Sequence, residues 1–98
     1  MIVVRDIFHI DPDQMKKAKN LLREDRDLGK RIGSPVSRIL TDLTGEYYTL
    51  ILESVFSSLA EYESALHKIL ANKEWQRFYP RFRKLMRGGR REIFTVVE

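Results

Sequence analysis

The 98-residue sequence contains no cysteine, which excludes both disulfides and thiolate metal sites. It also contains no apolar run close to the roughly 20 residues that a membrane-crossing helix needs. The N-terminal stretch, MIVVRDIFHIDPD, lacks an apolar segment followed by a small-residue cleavage site. We therefore expect no signal peptide and no membrane anchor, and we predict a cytoplasmic protein.

The short motifs of common enzyme sites are missing as well. There is no G-x-S-x-G nucleophile motif, and Gly88-Gly89 precedes a predicted strand rather than the helix of a phosphate-binding loop. His9 and His67 have no second ligand at metal-binding spacing, so we expect no zinc site. His67 lies at the polar flank of a predicted helix and is expected at the surface. We predict neither a metal nor a cofactor.

What is present is ordinary for one soluble globular domain, which we place over residues 1–98. Hydrophobic residues make up 43% of the chain and charged residues 33%. The charge is uneven, because residues 73–98 hold eight Lys or Arg against three Asp or Glu. The remainder, residues 1–72, is close to neutral. This imbalance makes nucleic acid a candidate partner that the rest of the sequence has to support.

Segments rich in β-branched and aromatic residues predict four strands, at 2–10, 36–43, 47–56 and 91–97. The short TGE turn at 44–46 joins the middle two strands as a hairpin. The first helix is predicted to begin at Asp11-Pro12, with Asp11 as its cap and Gln14 completing a capping box. It should end near Gly29 and Gly33.

The second helical region begins at Ser58, which forms a capping box with Glu61. Asn72 caps a continuation that Pro80 should kink or break, and Gly88-Gly89 should terminate it. The order is therefore β-α-β-β-α-β. This order predicts an α+β, ferredoxin-like fold with a four-stranded antiparallel sheet and helices on one face.

Alternation along the strands divides the sheet into two faces. The side carrying Leu50, Leu52 and Phe56 is assigned to the helices. The opposite side is also apolar, and a face of this kind needs a partner. We therefore predict a homodimer in which two sheets meet and leave a cavity between them. The residues of this opposite side are Val3, Ile7, Ile51 and Val55, interrupted by Arg5, His9, Thr49 and Glu53.

The polar members of this opposite side, Arg5, His9, Thr49 and Glu53, are the candidate ligand-binding residues. Arg38, on the second strand, joins them with an ambiguous orientation. An arginine can bind a carboxylate or enolate oxygen, and His9 or Glu53 can serve as a base when burial tunes its pKa. The alternative is that Arg5 and Glu53 simply form an ion pair across the sheet or at the dimer contact.

Three stretches resemble a known group: VVRDIFHIDPDQM, EYYTLILESVFSSLAEYESAL and NKEWQRFYPRFRKLMRGGRREIFTVV. Together they span most of the chain, which resembles the dimeric α/β-barrel superfamily and, within it, NIPSNAP-like domains. The resemblance implies two sheets closed face to face, and an uncharacterised protein that binds a small, partly apolar organic molecule in its cavity. It also implies an alternative, cofactor-free monooxygenase or isomerase activity. Many relatives carry a glutamate two residues before the first-strand arginine, where this chain has Val3.

The segment WQRFYPRFRKLMRGGRREIF (75–94) is the strongest argument for a different function, that of a basic nucleic-acid-binding module. RNA-recognition domains share the element order but carry stacking aromatics beside a glycine on the third strand. Here that strand reads YYTLILES, whose aliphatic residues cannot stack on bases. We therefore interpret the segment as a helix with a packed aromatic face and a solvated basic face, and nucleic acid as an improbable partner.

Overall fold

A computed structural model of the protein describes residues 1–33 and 38–98. The four strands form one antiparallel sheet in the order β2-β3-β1-β4, and the helices cover one of its faces. This arrangement confirms the ferredoxin-like α+β fold. The elements are β1 (Ile2–Ile10), α1 (Met15–Arg31), β2 (Arg38–Thr41), β3 (Thr49–Phe56), α2 (Leu59–Ala71), α3 (Lys73–Arg83) and β4 (Met86–Thr95).

The core lies between the sheet and the helices. As the alternation predicted, Leu50, Leu52 and Phe56 are buried on the helix-facing side of β3. Phe82 of α3 is 1% exposed and meets the ring of Phe8 on β1 edge-on, with 4.9 Å between the ring centroids. Burial of such large apolar side chains provides most of the driving force for folding.

The aromatic and basic residues of α3 separate as the sequence predicted. Phe78 and Phe82 are buried on the inner face of the helix, with their rings stacked at 5.9 Å, while Arg77, Arg81 and Arg83 are exposed. A helix turn of 3.6 residues produces this division, because residues three or four positions apart share one face.

The predicted role of Gly88-Gly89 as a helix terminator is wrong, since both residues lie inside β4, which begins at Met86. Gly89 pairs with Phe8, and a Cβ atom at Gly89 would lie 2.4 Å from the carbonyl oxygen of Ile7. Only glycine permits this close approach of two backbones. The helix instead ends at Arg83, where Leu85 N–H donates to the carbonyl oxygen of Phe82.

Two other strand boundaries differ from the prediction. β2 covers 38–41 of the predicted 36–43, of which residues 36 and 37 lie outside the described residues. Asp42 ends it, because its side-chain carboxylate accepts a hydrogen bond from the backbone N–H of Thr49 at 2.9 Å. β3 begins at Thr49 rather than at residue 47, since Tyr48 adopts a left-handed turn conformation with φ of 60°.

The helix starts are partly as predicted. Asp11 makes no side-chain capping bond, and the chain passes through a short 3-10 turn, Pro12–Gln14, before α1 begins at Met15. Ser58 does cap α2, because its hydroxyl accepts from Glu61 N–H at 3.2 Å, and the Glu61 carboxylate accepts from Ser57 instead of closing the box on Ser58.

The remaining helical predictions concern Gly29, Asn72 and Pro80. Gly29 is buried within α1 rather than ending it. Asn72 caps α3 by accepting from Trp75 N–H at 3.0 Å, as predicted. Pro80 does not break α3, which continues three residues beyond it. Proline removes one hydrogen bond to the preceding turn, but its own carbonyl oxygen still accepts from Lys84 N–H at 3.4 Å.

Candidate functional site

The sheet face that points away from the helices, called the far face below, carries a row of alternating charges. The strand register places Arg38, Glu53, Arg5 and Glu92 side by side across all four strands. Arg5 Nε donates to Glu53 Oε2 at 2.8 Å, and an Arg38 guanidinium nitrogen donates to Glu53 Oε1 at 2.6 Å. The structure thus brings three of the predicted site residues together and places Arg38 on the far face.

Glu53 is 4% exposed although it lies on an open sheet face, because the two guanidinium groups cover it. Hydrogen bonds from Arg38 and then from Arg5 hold the pKa of Glu53 below its ordinary value. A carboxylate whose charged form accepts such hydrogen bonds stays ionised. Both arginines are thereby engaged in a structural ion-pair network.

His9 and Thr49, the other two predicted site residues, face each other further along the same pair of strands. The Ile7–Ile51 pair lies between them and the charged row. His9 Nδ1 is 3.6 Å from a carboxylate oxygen of Glu46, and both His9 and Thr49 border a depression of about 390 Å³ on the far face. The five predicted residues therefore form two groups rather than one site.

The apolar residues of the far face are incompletely covered in the single chain. Val55 and Phe94 are 37% and 45% exposed, and the Arg5 guanidinium carbon lies 5.3 Å from the centroid of the Phe94 ring. Val3 joins this pair, because the register places it between Val55 and Phe94. Apolar rows therefore flank the charged row on both sides, with Ile7 and Ile51 on the other flank.

A cavity of about 180 Å³ lies on the opposite side of the sheet, between its helix-facing side and helices α1, α2 and α3. We call it the interlayer pocket. Its wall is mainly aliphatic and aromatic, and it includes Trp75 and Tyr79, whose rings stack at 5.0 Å. The charged residues that line it within the described parts of the chain are Asp6, Asp25 and Arg91.

Asp6 and Arg91 form an ion pair at the edge of this pocket. Arg91 Nε donates to Asp6 Oδ1 at 2.5 Å, and the Arg91 guanidinium carbon lies 5.6 Å from the centroid of the Tyr62 ring. Burial works to lower the pKa of Arg91, but the bond to Asp6 outweighs it and raises the pKa, so Arg91 remains charged. Burial raises the pKa of the Tyr62 hydroxyl, and the nearby positive charge of Arg91 partly offsets that rise.

Asp25 is the unusual member of the pocket. Burial, together with the negative charge of Asp6, raises the pKa of Asp25 from 3.8 to about 6. No hydrogen bond or ion pair links its carboxylate to another described residue. A half-buried carboxylate that titrates near neutrality within a cavity is typical of functional sites.

Asp25 was not among the predicted site residues, although its position in the sequence is unusual. Asp25 lies three residues after Leu22 and three before Leu28, so an acidic residue occupies the apolar stripe of α1. Asp6 gives the same signal on β1, where it shares the helix-facing parity of Val4 and Phe8. An acidic residue at a position that the periodicity assigns to the core needs a partner or a function.

A second concavity, which we call the outer cleft, lies on the solvent side of the seam between α1 and α3 and measures about 440 Å³. It shares Asp25, Leu28 and Phe78 with the interlayer pocket. Two ion pairs span it, from Arg31 to Glu74 at 2.6 Å and from Arg81 to Glu24 at 3.5 Å. Asp25 therefore lies in the wall between the pocket and the surface.

Four of the seven basic residues in the segment 75–94 are paired with acidic neighbours. Arg81 contacts Glu24, and the remaining pairs that involve this segment join Arg87 to Asp11, Arg90 to Glu92 and Arg91 to Asp6. These contacts reduce the free positive charge that a nucleic acid would meet.

His67, predicted at the surface, is exposed on α2.

Residues 1–33 and 38–98 contain neither a metal-binding cluster nor a membrane-spanning helix. No group of three or more His, Asp or Glu side chains in these ranges is arranged to hold a metal ion. No helix in the same ranges is long and apolar enough to span a bilayer.

The NIPSNAP family model matches residues 5–98 of the chain. The chain belongs to the NIPSNAP family. No curated protein matches it. Among solved structures, it resembles a NIPSNAP family protein from Agrobacterium tumefaciens, with a TM-score of 0.90 and 21% identity over 99% of this chain and 93% of that one. A NIPSNAP domain protein from Burkholderia xenovorans gives 0.86 and 15% over 99% and 95%.

A protein from Nitrosomonas europaea that is named after the antibiotic biosynthesis monooxygenases is also similar, with a TM-score of 0.76 and 12% identity over all of both chains. At these identities the similar structures show the fold alone. The NIPSNAP chain thus shares the ferredoxin-like fold of that monooxygenase group, and its chemistry has to be argued from its own residues.

Proposed function

We propose that this NIPSNAP protein binds a small, partly apolar organic molecule in the interlayer pocket. The observation that carries the proposal is a cavity of about 180 Å³ with a mainly apolar wall and a few convergent polar groups, among them Asp25 and Tyr62. Ligand sites commonly combine an apolar wall with a small number of polar groups that fix orientation. At about 30 Å³ per water in the liquid, this volume equals that of about six waters, which suits a molecule built on roughly one ring.

The interlayer pocket is favoured over the five far-face residues for a physical reason. Arg5 and Arg38 already donate to Glu53, so binding a ligand anion there would break charge-assisted hydrogen bonds. In the interlayer pocket, no hydrogen bond or ion pair with a described residue engages Asp25, so a ligand can bind its carboxylate without displacing a partner. Cofactor-free monooxygenase or isomerase activity stays a prediction.

Fluorescence of Trp75 offers a direct test, because it is the chain's single tryptophan and lines the pocket. Benzyl alcohol, a small and partly apolar probe, should change the Trp75 emission in a saturable way. Ala65→Leu should abolish that response, since Ala65 is 8% exposed and lines the pocket, so the added methyl groups would fill it.

Ala60→Leu is the matched control, because it makes the same change on the same helix at an exposed position. It should leave the titration unchanged. Circular dichroism checks that both variants are folded. A linear, non-saturating response of the wild-type protein, or an equal response from folded Ala65→Leu, would contradict the proposal.

We propose in addition that the far face packs against the far face of a second copy. Both carboxylates of the charged row are paired, Glu53 with Arg5 and Arg38 and Glu92 with the neighbouring Arg90, so the row can be covered without leaving a carboxylate unpaired. Such pairing is the condition for burying charges at low cost. The flanking apolar residues, Val3, Val55 and Phe94, would lose their exposure.

Light scattering on a sizing column should give twice the 11.6 kDa chain mass, at low and at moderate salt alike. Phe94→Asp should shift the protein to the monomer, because it would bury a charge in the apolar row. Leu59→Asp, which changes a 59% exposed residue of α2 on the other side of the sheet, should leave the dimer intact. A wild-type monomer, or a dimer that Phe94→Asp leaves intact, would refute this arrangement.

A further inference from the structure

The charge of the interlayer pocket is unbalanced. Of the charged residues that line it within the described chain, Asp6 and Arg91 neutralise each other at 2.5 Å. Asp25 is left with no cationic partner among the described residues. When Asp25 is ionised, the pocket therefore carries one net negative charge in a mainly apolar wall.

The surroundings of Asp25 do not supply the missing cation, and Arg77, an arginine of the outer cleft, neither pairs with Asp25 nor influences its pKa. The two influences on its pKa are burial and the negative charge of Asp6, and both disfavour the ionised form. The sheet contributes Asp6 and Arg91, and α2 contributes Tyr62. Two arginines of the outer cleft, Arg31 and Arg81, are held by other carboxylates, those of Glu74 and Glu24. The charged groups that line the outer cleft with Asp25 are Glu24, Asp27, Arg31, Glu74, Arg77 and Arg81.

Two further features of the pocket suit a cation. Its wall presents aromatic rings, including the stacked Trp75 and Tyr79, and the faces of such rings attract cations. The buried Tyr62 hydroxyl also lines the pocket, and its oxygen can accept a hydrogen bond from a donor. An ammonium group has three N–H donors and no acceptor, so it matches a carboxylate and a hydroxyl oxygen together.

We propose that the interlayer pocket selects a small protonated amine with an apolar or aromatic body, and that Asp25 forms the ion pair with its ammonium group. This inference rests on the proposed function, because it names the chemical class of the molecule that the pocket binds. The cavity volume of about 180 Å³ limits the body to roughly one ring. Arg91, held by Asp6, then contributes to orientation and not to charge selection.

Benzylamine and benzyl alcohol test the inference as a pair, because they differ in charge and hardly in shape. Titrations followed by Trp75 fluorescence at pH 7.5 should show benzylamine binding at least tenfold more tightly than benzyl alcohol. This preference should decrease below pH 6, where Asp25 becomes protonated, and one pH unit below the pKa it should be reduced by about tenfold. Benzylamine itself stays protonated throughout this range.

Asp25→Asn should remove the preference for benzylamine while preserving the binding of benzyl alcohol, since the amide has the same shape without the charge. Asp27→Asn is the matched control: it neutralises a carboxylate on the same helix that lines the outer cleft and not the interlayer pocket. It should retain the preference. Thermal unfolding establishes that each variant is folded.

The outcomes separate the two proposals. If benzyl alcohol binds and benzylamine binds no more tightly, or if Asp25→Asn keeps the preference, the amine inference is wrong and the proposed function stands. If neither probe gives a saturable change in the wild-type protein, the proposed function is contradicted and the inference falls with it.

Discussion

Asp25 and Glu53 are carboxylates on opposite sides of one sheet, and their pKa values are shifted in opposite directions. On the far face, two arginines donate to Glu53, and its pKa is lowered. On the helix side, Asp25 has no partner among the described residues, and burial raises its pKa to about 6. Partners, rather than solvent exposure alone, decide the charge state, because Glu53 is 4% exposed and still stays ionised.

This contrast separates a structural network from an open site. On the far face, each carboxylate of the charged row has an arginine partner, which is what a surface covered by another protein chain needs. The interlayer pocket leaves the Asp25 carboxylate without a partner among the described residues, and such a cost persists in proteins mainly where function requires it. Three substitution experiments test this difference between the two sides of the sheet, and the expected change in the free energy of unfolding decreases from the first to the third.

The largest effect is expected from truncating one phenylalanine on each side of the sheet. Phe82→Ala should lower the free energy of unfolding by about 3–5 kcal/mol at every protein concentration, because Phe82 is 1% exposed in the core. Phe94→Ala should cost the single chain less than about 1 kcal/mol, since Phe94 is 45% exposed there. Urea unfolding at two protein concentrations measures both quantities.

If the far face is an interface between copies, the effect of Phe94→Ala should depend on protein concentration, because unfolding is then linked to dissociation. An effect of Phe94→Ala that equals that of Phe82→Ala and does not vary with concentration would show that the two sides of the sheet do not differ in this way.

Asp25→Asn should change the free energy of unfolding by less than Phe82→Ala does, and it should raise it. The pKa of Asp25 is higher in the folded chain, about 6, than the ordinary 3.8, so wild-type stability falls as the pH rises through that interval. Removing the charge should therefore raise the free energy of unfolding at pH 7.5 by about 2–3 kcal/mol, taking ~1.36 kcal/mol for each pH unit. The gain should disappear near pH 4.

Urea unfolding at pH 7.5 and at pH 4 checks this expectation. Asp27→Asn, an exposed neighbour on α1, should change the free energy of unfolding by less than about 0.5 kcal/mol at both values. A loss of stability in Asp25→Asn at pH 7.5 would mean that the carboxylate is structurally paired, and the contrast with Glu53 would fail.

Glu53→Gln should have the smallest effect and the opposite sign. It weakens two charge-assisted hydrogen bonds, but the arginines are partly exposed, so we expect a loss of about 1–2 kcal/mol at pH 7. Because the pKa of Glu53 is lowered in the folded chain, this contribution is complete above pH 4.5 and declines as the pH falls through the folded value.

Thermal unfolding at pH 7 and pH 3 compares the stability of Glu53→Gln with that of the wild-type protein. Glu92→Gln is the control, since Glu92 lies in the same row, is paired only with Arg90 and is 38% exposed at its side chain. Exposed pairs contribute less than about 1 kcal/mol, so its effect should be smaller. Equal losses in the two variants would show that Glu53 is an ordinary surface ion pair.

The sequence predicted the element order and both faces of the sheet, because alternation and helical spacing are local properties that the fold preserves. It did not predict that Gly88-Gly89 would lie within β4, since that depends on how closely β4 approaches β1. The polar far-face residues were found from strand parity, whereas the orientation of Arg38 required the register of β2 against β3.

The interlayer pocket could not be predicted as a cavity, because its volume depends on how three helices pack over the sheet. Its key residues were nevertheless visible. Asp25 interrupts the apolar stripe of α1, and Asp6 interrupts the helix-facing side of β1. What the sequence could not show is that Arg91 pairs with Asp6 across 85 positions and leaves Asp25 without a cation.

The two adjacent glycines of β4 have different consequences for how this sequence can diversify. A methyl group at position 89 would collide with the backbone of β1, and a backbone cannot be moved as a side chain can, so every substitution there should be rejected in a saturation library. Gly88 has open space around its missing side chain in the single chain. Position 89 should therefore accept no residue other than glycine. At position 88, by contrast, the single chain presents no steric barrier to a side chain.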